Sequence, residues 1–261
     1  NDSWKIASIV STGFHAPNID DTGKLFHKSS ILTIPNFNLE PEQAKTIELN
    51  ITKNINNRVL INTNVYYTHI DDVIMKVNTD LNFQINQDEF FTQAKTNMNT
   101  GQAKIYGATA SASVRIASNY TFETDYTIIK GRNIDNDLPF THIPPGFGKT
   151  ALYADFDDWR VSCFVLYNGR KSIDEYDVES GTDNEEESPI EWVLTNEENW
   201  IKEYQGTPAW YTLNLSAMYR LSEDFTVQMA LENILDHHYK TFASGLSAPG
   251  RNLILTFRAT F

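Results

Sequence analysis

The sequence predicts an all-β protein, an antiparallel up-and-down β-barrel that crosses a membrane. Period-two alternation near the C-terminus is the first observation, with apolar side chains at Leu253, Leu255 and Phe257 and polar ones between them. Nine further stretches can be interpreted as strands. The connections between the strands are long and short in strict turn, which is typical of a membrane barrel with short turns at one end and long loops at the other.

The predicted strands are short, because a membrane-crossing β-strand needs only about 9 to 11 residues and leaves a weak hydropathy signal. The fourth strand is rich in small residues and has the least clear alternation. The ten predicted strands are residues 4–12, 45–53, 58–68, 103–117, 120–129, 150–156, 159–168, 210–221, 225–234 and 253–261.

The alternation of the connections also predicts the orientation of the barrel. Long connections are expected outside the cell and short turns at the periplasmic end. Aromatic residues near the short turns would then form the inner aromatic girdle: Tyr120, Trp159, Tyr219, Phe225 and Phe261. A soluble β-sandwich would explain the strands but would not require this regular asymmetry.

Composition excludes several classes of protein. Apolar residues make up 41% of the 261 residues, which excludes a disordered chain. With 21 Lys and Arg against 34 Asp and Glu, the formal charge is −13, which argues against a nucleic-acid partner because phosphate binding requires basic surface. The single cysteine cannot form an intrachain disulfide. The sequence contains no run of about 18 apolar residues, so it predicts no membrane-spanning helix.

Three blocks of sequence carry a resemblance. Residues 11–24 read Ser-Thr-Gly-Phe-His-Ala-Pro-Asn-Ile-Asp-Asp-Thr-Gly-Lys, followed by Ile-Pro-Asn-Phe-Asn-Leu-Glu-Pro-Glu at 34–42. The second block is Leu-Pro-Phe-Thr-His-Ile-Pro-Pro-Gly-Phe-Gly-Lys at 138–149, and the third is 231–261. Together they resemble the C-terminal half of the barrel of TonB-dependent outer-membrane receptors. His15 stands in the arginine place of that family's Phe-Arg-Ala-Pro box, and 36–39 resembles its Asn-Pro-Asn-Leu box.

The resemblance implies a barrel of about 22 strands filled by an N-terminal plug. Residues 1–261 would be the C-terminal portion of that barrel, a single incomplete domain in the bacterial outer membrane. Upstream would lie the plug and the segment that engages the TonB protein. The implied function is TonB-energised uptake of a scarce small-molecule ligand, a ferric siderophore, haem or cobalamin. No required cofactor and no catalytic residue are expected.

Six histidines lie in or beside the predicted external connections, where this family meets its ligand. They are the candidate ligand-binding residues: His15, His27, His69, His142, His237 and His238. Haem-uptake members use a histidine between the two boxes, the place of His27, and imidazole is a common axial ligand of haem. A solvated loop histidine is the simpler interpretation of each. No spacing indicates a structural metal site.

The longest acidic connection, residues 169–207, suggests a short amphipathic helix. Ser188 and Glu191 have capping-box spacing with Pro189 between them, and apolar residues follow at helical spacing. Such a helix would pack on the barrel rim and could contact a surface lipoprotein. Acidic residues of this connection could hold calcium, although their spacing matches no compact calcium loop and a solvated surface is favoured: Asp174, Glu175, Asp177, Asp183 and 185–187.

An enzyme is the main alternative. A complete ten-stranded barrel like the omptin proteases would fit the even number of strands and their orientation. Such an enzyme should show a carboxylate and histidine constellation at its mouth, and none stands out in the sequence. An adhesin or an inert porin would leave the box-like connections unexplained.

Overall fold

The computed structural model describes residues 3–28, 31–83, 92–177, 188–195 and 200–260. A four-residue α-helix, α1 (Ile19–Thr22), and a 3-10 helix, Ile173–Glu175, accompany the strands. The strands are β1 (Trp4–His15), β2 (Phe26–Lys28), β3 (Ile31–Ile34), β4 (Glu42–Ile55), β5 (Val59–Asp71), β6 (Ile74–Phe83), β7 (Thr92–Asn99), β8 (Gln102–Ala117), β9 (Tyr120–Asn133), β10 (Phe147–Asp155), β11 (Trp159–Asn168), β12 (Ile190–Leu194), β13 (Trp200–Tyr204), β14 (Trp210–Arg220), β15 (Phe225–Glu232) and β16 (Asn252–Ala259).

Ten strands form one antiparallel sheet, which confirms the predicted fold class. Their order is β1-β4-β5-β8-β9-β10-β11-β14-β15-β16, so each strand of the sheet lies beside its predecessor in the chain. Within the described ranges, β1 pairs only with β4 and β16 only with β15. A closed ten-stranded barrel would require β1 to pair with β16. The open sheet therefore disagrees with the omptin-like alternative and fits part of a larger barrel.

Strand register separates an apolar outward face from a polar inward face. Leu255 lies opposite Met229 and Phe257 opposite Val227, all on the outward face. Inward side chains form hydrogen-bonded ladders instead, such as the Thr46 and Thr68 hydroxyls at 2.8 Å and Ser162 with Ser216 at 2.7 Å. This division has the polarity expected of a barrel whose outside meets lipid.

Aromatic residues border the apolar band at the short-turn end, as predicted. Trp159 stacks on Tyr219 with ring centroids 4.3 Å apart, and Tyr120 meets Phe156 edge-on at 6.1 Å. Phe225 is 49% exposed on the same face. The predicted girdle residue at 261 lies outside the described residues.

A second row of outward aromatic residues lies near the long-connection end: Tyr67, Tyr106, Tyr126, Tyr167 and Tyr211. Trp159 and Tyr167 are eight positions apart on β11. At about 3.3 Å per residue and a tilt of about 40°, they are separated by roughly 20 Å of height, close to the apolar band of outer-membrane barrels. None of the described helices is long and apolar enough to cross a membrane.

The external connections contain strands that the sequence analysis did not predict. β2, β3, β7 and β6 form a four-stranded sheet in that order, in which β3 and β7 are parallel. This side sheet joins the connection after β1 to the connection after β5. The alternation of Met75, Val77, Thr79 and Leu81 with polar neighbours is the period-two signal that was missed.

The predicted helix after residue 188 is wrong. Residues 190–204 contain the hairpin strands β12 and β13, with Ile190 opposite Tyr204 and Leu194 opposite Trp200. Ser188 does not cap a helix, because its hydroxyl accepts a hydrogen bond from the Gly206 amide at 3.2 Å. β-branched and aromatic residues favour a pleated surface, and here that preference outweighs the capping-box spacing.

Candidate functional site

The first sequence box forms a capped turn just beyond β1. The Asn18 side-chain oxygen accepts from the amides of Asp20 and Asp21 at 2.7 and 3.1 Å. The Asp21 carboxylate in turn accepts from the Asn18 amide at 2.9 Å. This reciprocal capping box begins α1 and fixes the direction in which the chain leaves β1.

Hydrogen bonds join the two sequence boxes to the side sheet. The Asn36 amide donates to the Thr22 carbonyl at 2.9 Å, which links the second box to α1. The Asn36 side chain donates to the Asn97 carbonyl at 2.8 Å, and the Asn97 side chain donates to the Asp21 carbonyl at 2.9 Å. The two boxes and β7 therefore form one connected unit.

Glu42 holds His15 beside the side sheet. One carboxylate oxygen of Glu42 lies 3.0 Å from the His15 Nδ1 atom. The other oxygen accepts from the Ile74 amide at 2.7 Å, at the start of β6. The carboxylate thus ties the top of β1 to a strand from a different connection, while the His15 side chain remains 55% exposed.

A cavity of about 520 Å³ lies at this junction. Both His15 and His142 line it, although they are far apart in sequence. His142 sits in the connection between β9 and β10 with a positive φ of 59°, a conformation that places it in a tight local turn. Four separate connections contribute to the lining, which also includes Lys24, Lys76, Met75, Phe140 and Asp177.

Lys76 is the group of this cavity whose ionisation is most affected by its surroundings. Burial lowers the pKa of the Lys76 ammonium, and the nearby charges of Lys24 and Lys95 lower it further. An anion in the cavity would relieve both the desolvation and the repulsion. The lining thus combines two imidazoles, a thioether and two lysines with four carboxylates: Asp20, Asp21, Glu42 and Asp177.

The other four candidate histidines lie elsewhere. His238 lines a separate cavity of about 290 Å³ with Tyr176 and Thr207, and its Nε2 atom is 2.9 Å from the Ser247 hydroxyl. The remaining three are dispersed: His27 lies on edge strand β2, His237 stacks against outward-facing Tyr211, and His69 points outward with Nε2 3.1 Å from the Asp71 carboxylate.

Buried Asn233 shapes the last external connection. Its Nδ2 group donates to the carbonyls of His237 and Pro249 at 2.9 and 3.2 Å, and its Oδ1 accepts from the His237 amide at 2.9 Å. The Asn233 amide donates to the Asn214 side chain at 2.9 Å. With a φ of 46°, Asn233 also turns the chain out of β15.

Several residues of the site carry no clear signal in the sequence. Lys76 and Met75 have no motif that distinguishes them from other residues of the connections, and Glu42 is marked only as the last residue of the block at 34–42. Alternation in 74–83 could have predicted β6 and the shared face of its residues. The acidic residues at 183 and 185–187, for which a solvated surface is favoured over calcium binding, lie outside the described residues. Among the described ranges, no group of three or more His, Cys, Asp or Glu side chains could hold a metal ion.

Sequence comparison relates the chain to haemoglobin-binding proteins. The protein named hemoglobin and hemoglobin-haptoglobin-binding protein A, from Haemophilus influenzae, is 24% identical over 94% of this chain and 22% of its own length. Hemoglobin-binding protein A of the same organism is 23% identical over 91% of this chain and 23% of its own length. The chain therefore spans less than a quarter of the length of these two relatives.

Structural comparison gives the same fold with different ligands. The copper transporter OprC matches with a TM-score of 0.74 and 14% identity, over 100% of this chain and 38% of that protein. The ferric enterobactin receptor of Pseudomonas aeruginosa matches with a TM-score of 0.72 and 15% identity, over the same shares. At these identities the likeness shows the fold alone.

The family described as TonB dependent receptor-like, β-barrel, matches residues 1–234. This match covers most of the chain, and the order of the ten strands agrees with it. Members of this family are receptors and transporters of the bacterial outer membrane, which explains the apolar outward face. The chain belongs to the β-barrel of the TonB-dependent receptors.

Proposed function

We propose that this chain is the C-terminal portion of the barrel of a receptor that takes up haem from a haem protein such as haemoglobin. The external connections would capture the ligand, and a plug domain elsewhere in the receptor would pass haem inward when TonB pulls on it. Residues 1–261 would act as a single structural domain in this process. Binding and transport require no bond to be made or broken, so we assign no catalytic residue and no resident cofactor.

The grouping of His15 and His142 at one cavity is the observation that supports haem most directly. Imidazole is a common axial ligand of haem iron. Lys76 lies in the same lining, and its ammonium would pair with the carboxylates of a porphyrin. Phe140 adds an aromatic surface against which a flat macrocycle can pack.

The sequence relatives favour haem over a ferric siderophore. Two proteins named for haemoglobin binding align with more than nine-tenths of this chain. The solved structures include receptors for ferric enterobactin and a copper transporter, and their 14% and 15% identities carry information on fold only. A siderophore receptor is therefore the second choice, and we propose a surface lipoprotein as an accessory partner at the β12–β13 hairpin.

Haem titration of the full-length receptor tests the proposal. We expect a Soret band on adding haem, and we expect His15→Ala combined with His142→Ala to shift that band and to weaken haem binding at least about tenfold, the effect of losing about 1.4 kcal/mol. The measurement is absorbance in detergent micelles with the purified receptor that contains this chain.

Two single variants complete the test. His69→Ala is the matched control, because His69 faces outward with Asp71, and it should leave the titration unchanged. His27→Ala removes the histidine between the two boxes. Loss of the Soret band in His27→Ala alone would place haem at the edge of the side sheet rather than in the cavity, and no Soret band in the unaltered receptor would contradict haem uptake.

A further inference from the structure

A groove of about 460 Å³ lies on the outward side of the sheet near its external end. We call it the rim groove and define it by six of its lining residues: Tyr106, Tyr126, Ile128, Lys130, Arg132 and Arg170. The cavity with His15 and His142 shares Pro139 and Phe140 with the rim groove, and the rest of its lining is different. The rim groove combines an apolar lower part with a charged upper part.

The lower part of the rim groove belongs to the lipid-facing surface. Tyr106, Tyr126 and Ile128 occupy outward positions and are 43%, 44% and 47% exposed. Tyr106 lies opposite Tyr67, and both belong to the second row of outward aromatic residues, near the long-connection end. Outer-membrane barrels place such aromatic rows at the level of the lipid headgroups. The bottom of the groove is therefore continuous with acyl chains, and its top lies at the headgroups.

Cations occupy the outward row directly above these tyrosines. Lys45 lies opposite His69, His69 opposite Lys104, and Lys104 opposite Arg132, on four neighbouring strands. Like charges directly opposite one another destabilise a sheet unless a counter-charge lies between them. The juxtaposition of Lys104 and Arg132 is therefore unfavourable unless an anion lies beside it, and the exposed Asp137 carboxylate, 2.8 Å from Arg132, supplies part of that counter-charge.

The groove is positive although the whole chain carries a formal charge of −13. Its charged lining comprises four cations and two carboxylates: Lys130, Arg132, Arg170, Lys171, Asp174 and Glu175. This excess of cations is local. Two of these cations also act on Asp174. The pKa of its carboxyl is lowered first by a hydrogen bond from Ser172 and further by the charges of Lys130 and Arg170.

Two of the cations are paired, but only loosely. Lys130 pairs with Glu175, and Arg132 lies 2.8 Å from the Asp137 carboxylate, which is 80% exposed. Exposed ion pairs contribute little and exchange readily. The side chains of Lys104 and exposed Arg170 have no ion pair or hydrogen bond among the described residues. A phosphate arriving from the membrane would meet two cations that are not neutralised by a contact.

We propose that the rim groove binds the phosphorylated headgroup of an anionic lipid in the outer leaflet, with Arg132 and Arg170 of the groove at the phosphate and Lys104, opposite Arg132 on the neighbouring strand, beside them. The acyl chains of this lipid lie along Tyr106, Tyr126 and Ile128. A free anion in solution would leave the apolar part of the groove unused, whereas a lipid uses both parts. Continuity with the lipid-facing surface is therefore the reason for choosing a lipid as the occupant.

Native mass spectrometry of the full-length receptor in detergent micelles tests this site. The probes are dimyristoyl phosphatidic acid and dimyristoyl phosphatidylcholine at equal concentration. We expect the receptor to retain phosphatidic acid preferentially, and Lys104→Gln combined with Arg170→Gln to reduce the retained amount about fivefold. The charge-preserving pair Lys104→Arg and Arg170→Lys should retain it.

The matched control removes two positive charges from the inward face. Lys5→Gln combined with Arg258→Gln should leave lipid retention unchanged, because both residues occupy inward positions near the short-turn end. Equal retention of phosphatidic acid and phosphatidylcholine would overturn the proposal, as would equal losses in the rim-groove and control variants. Displacement of the lipid by millimolar inorganic phosphate would show a site for free phosphate instead.

Discussion

Replacing Gly148 with alanine is expected to destabilise the barrel by about 3 kcal/mol, the upper part of the usual cost of overpacking. Gly148 on β10 lies between Tyr126 of β9 and Tyr167 of β11. The Tyr167 hydroxyl crosses over Gly148 and donates to the Asp125 carbonyl at 2.9 Å. A Cβ atom at 148 would overlap that carbonyl and lie 2.8 Å from the Tyr167 hydroxyl. Because one obstacle is backbone, no side-chain rotation relieves the clash.

Urea unfolding of the full-length receptor in lipid vesicles, followed by tryptophan fluorescence, measures this loss. Gly13→Ala is the matched control, since a Cβ atom at that inward position on β1 would meet no atom within 4 Å. Equal stability of the two variants would show that β9 and β10 can separate without cost. Tyr167→Phe removes the hydrogen bond to the Asp125 carbonyl and should lower the free energy of unfolding by about 1 kcal/mol, the contribution of one hydrogen bond.

The second large effect is expected from Asn233→Ala. The substitution removes three hydrogen bonds to His237 and Pro249, at about 1 kcal/mol each. It also places alanine at a φ of 46°, which costs about 1 kcal/mol more. The last external connection should therefore detach from β15, even where the transmembrane strands remain folded.

Limited trypsin digestion measures that detachment, because Lys240 and Arg251 lie in the connection. Asn233→Gly separates the two causes, since glycine loses the hydrogen bonds but tolerates the positive φ. We expect cleavage to be fastest in the alanine variant, slower in the glycine variant and unchanged in Leu246→Ala, whose side chain is 80% exposed. Protection of the alanine variant at the level of the unaltered receptor would contradict the assigned role of Asn233.

The ten-stranded sheet could be predicted from the sequence because each strand has one lipid-facing side. Leu253, Leu255 and Phe257 must alternate with polar residues wherever the inward face is polar, so the pattern is imposed by the environment. The hairpin of β12 and β13 was mispredicted because it has no such environment. Ile190, Trp192 and Leu194 are all more than a third exposed there. Ile190 with Val193 and Leu194 satisfies helical spacing, whereas Ile190 with Trp192 and Leu194 satisfies strand spacing.

The grouping of the candidate site could not be predicted, because it depends on contacts between distant connections. Glu42 reaches the Ile74 amide across 32 positions, and Asn97 reaches Asp21 across 76. Neither contact leaves a periodic signal. The histidines could be assigned to the external end from connection lengths alone, but the cavity that His15 and His142 share forms only where distant connections meet. The outward direction of His69 follows from the register of β5 with β4 and β8.

The parallel pairing of β3 with β7 has a consequence for receptor engineering. Leu32 and Ile34 lie opposite Ala94 and Thr96, so the segment after β1 depends on the segment after β5 for its hydrogen bonds. Transplanting either segment alone into a related barrel would leave an unpaired strand edge. The two segments must therefore be exchanged together, and transfer of the proposed ligand preference would also require the connection after β9, which carries His142.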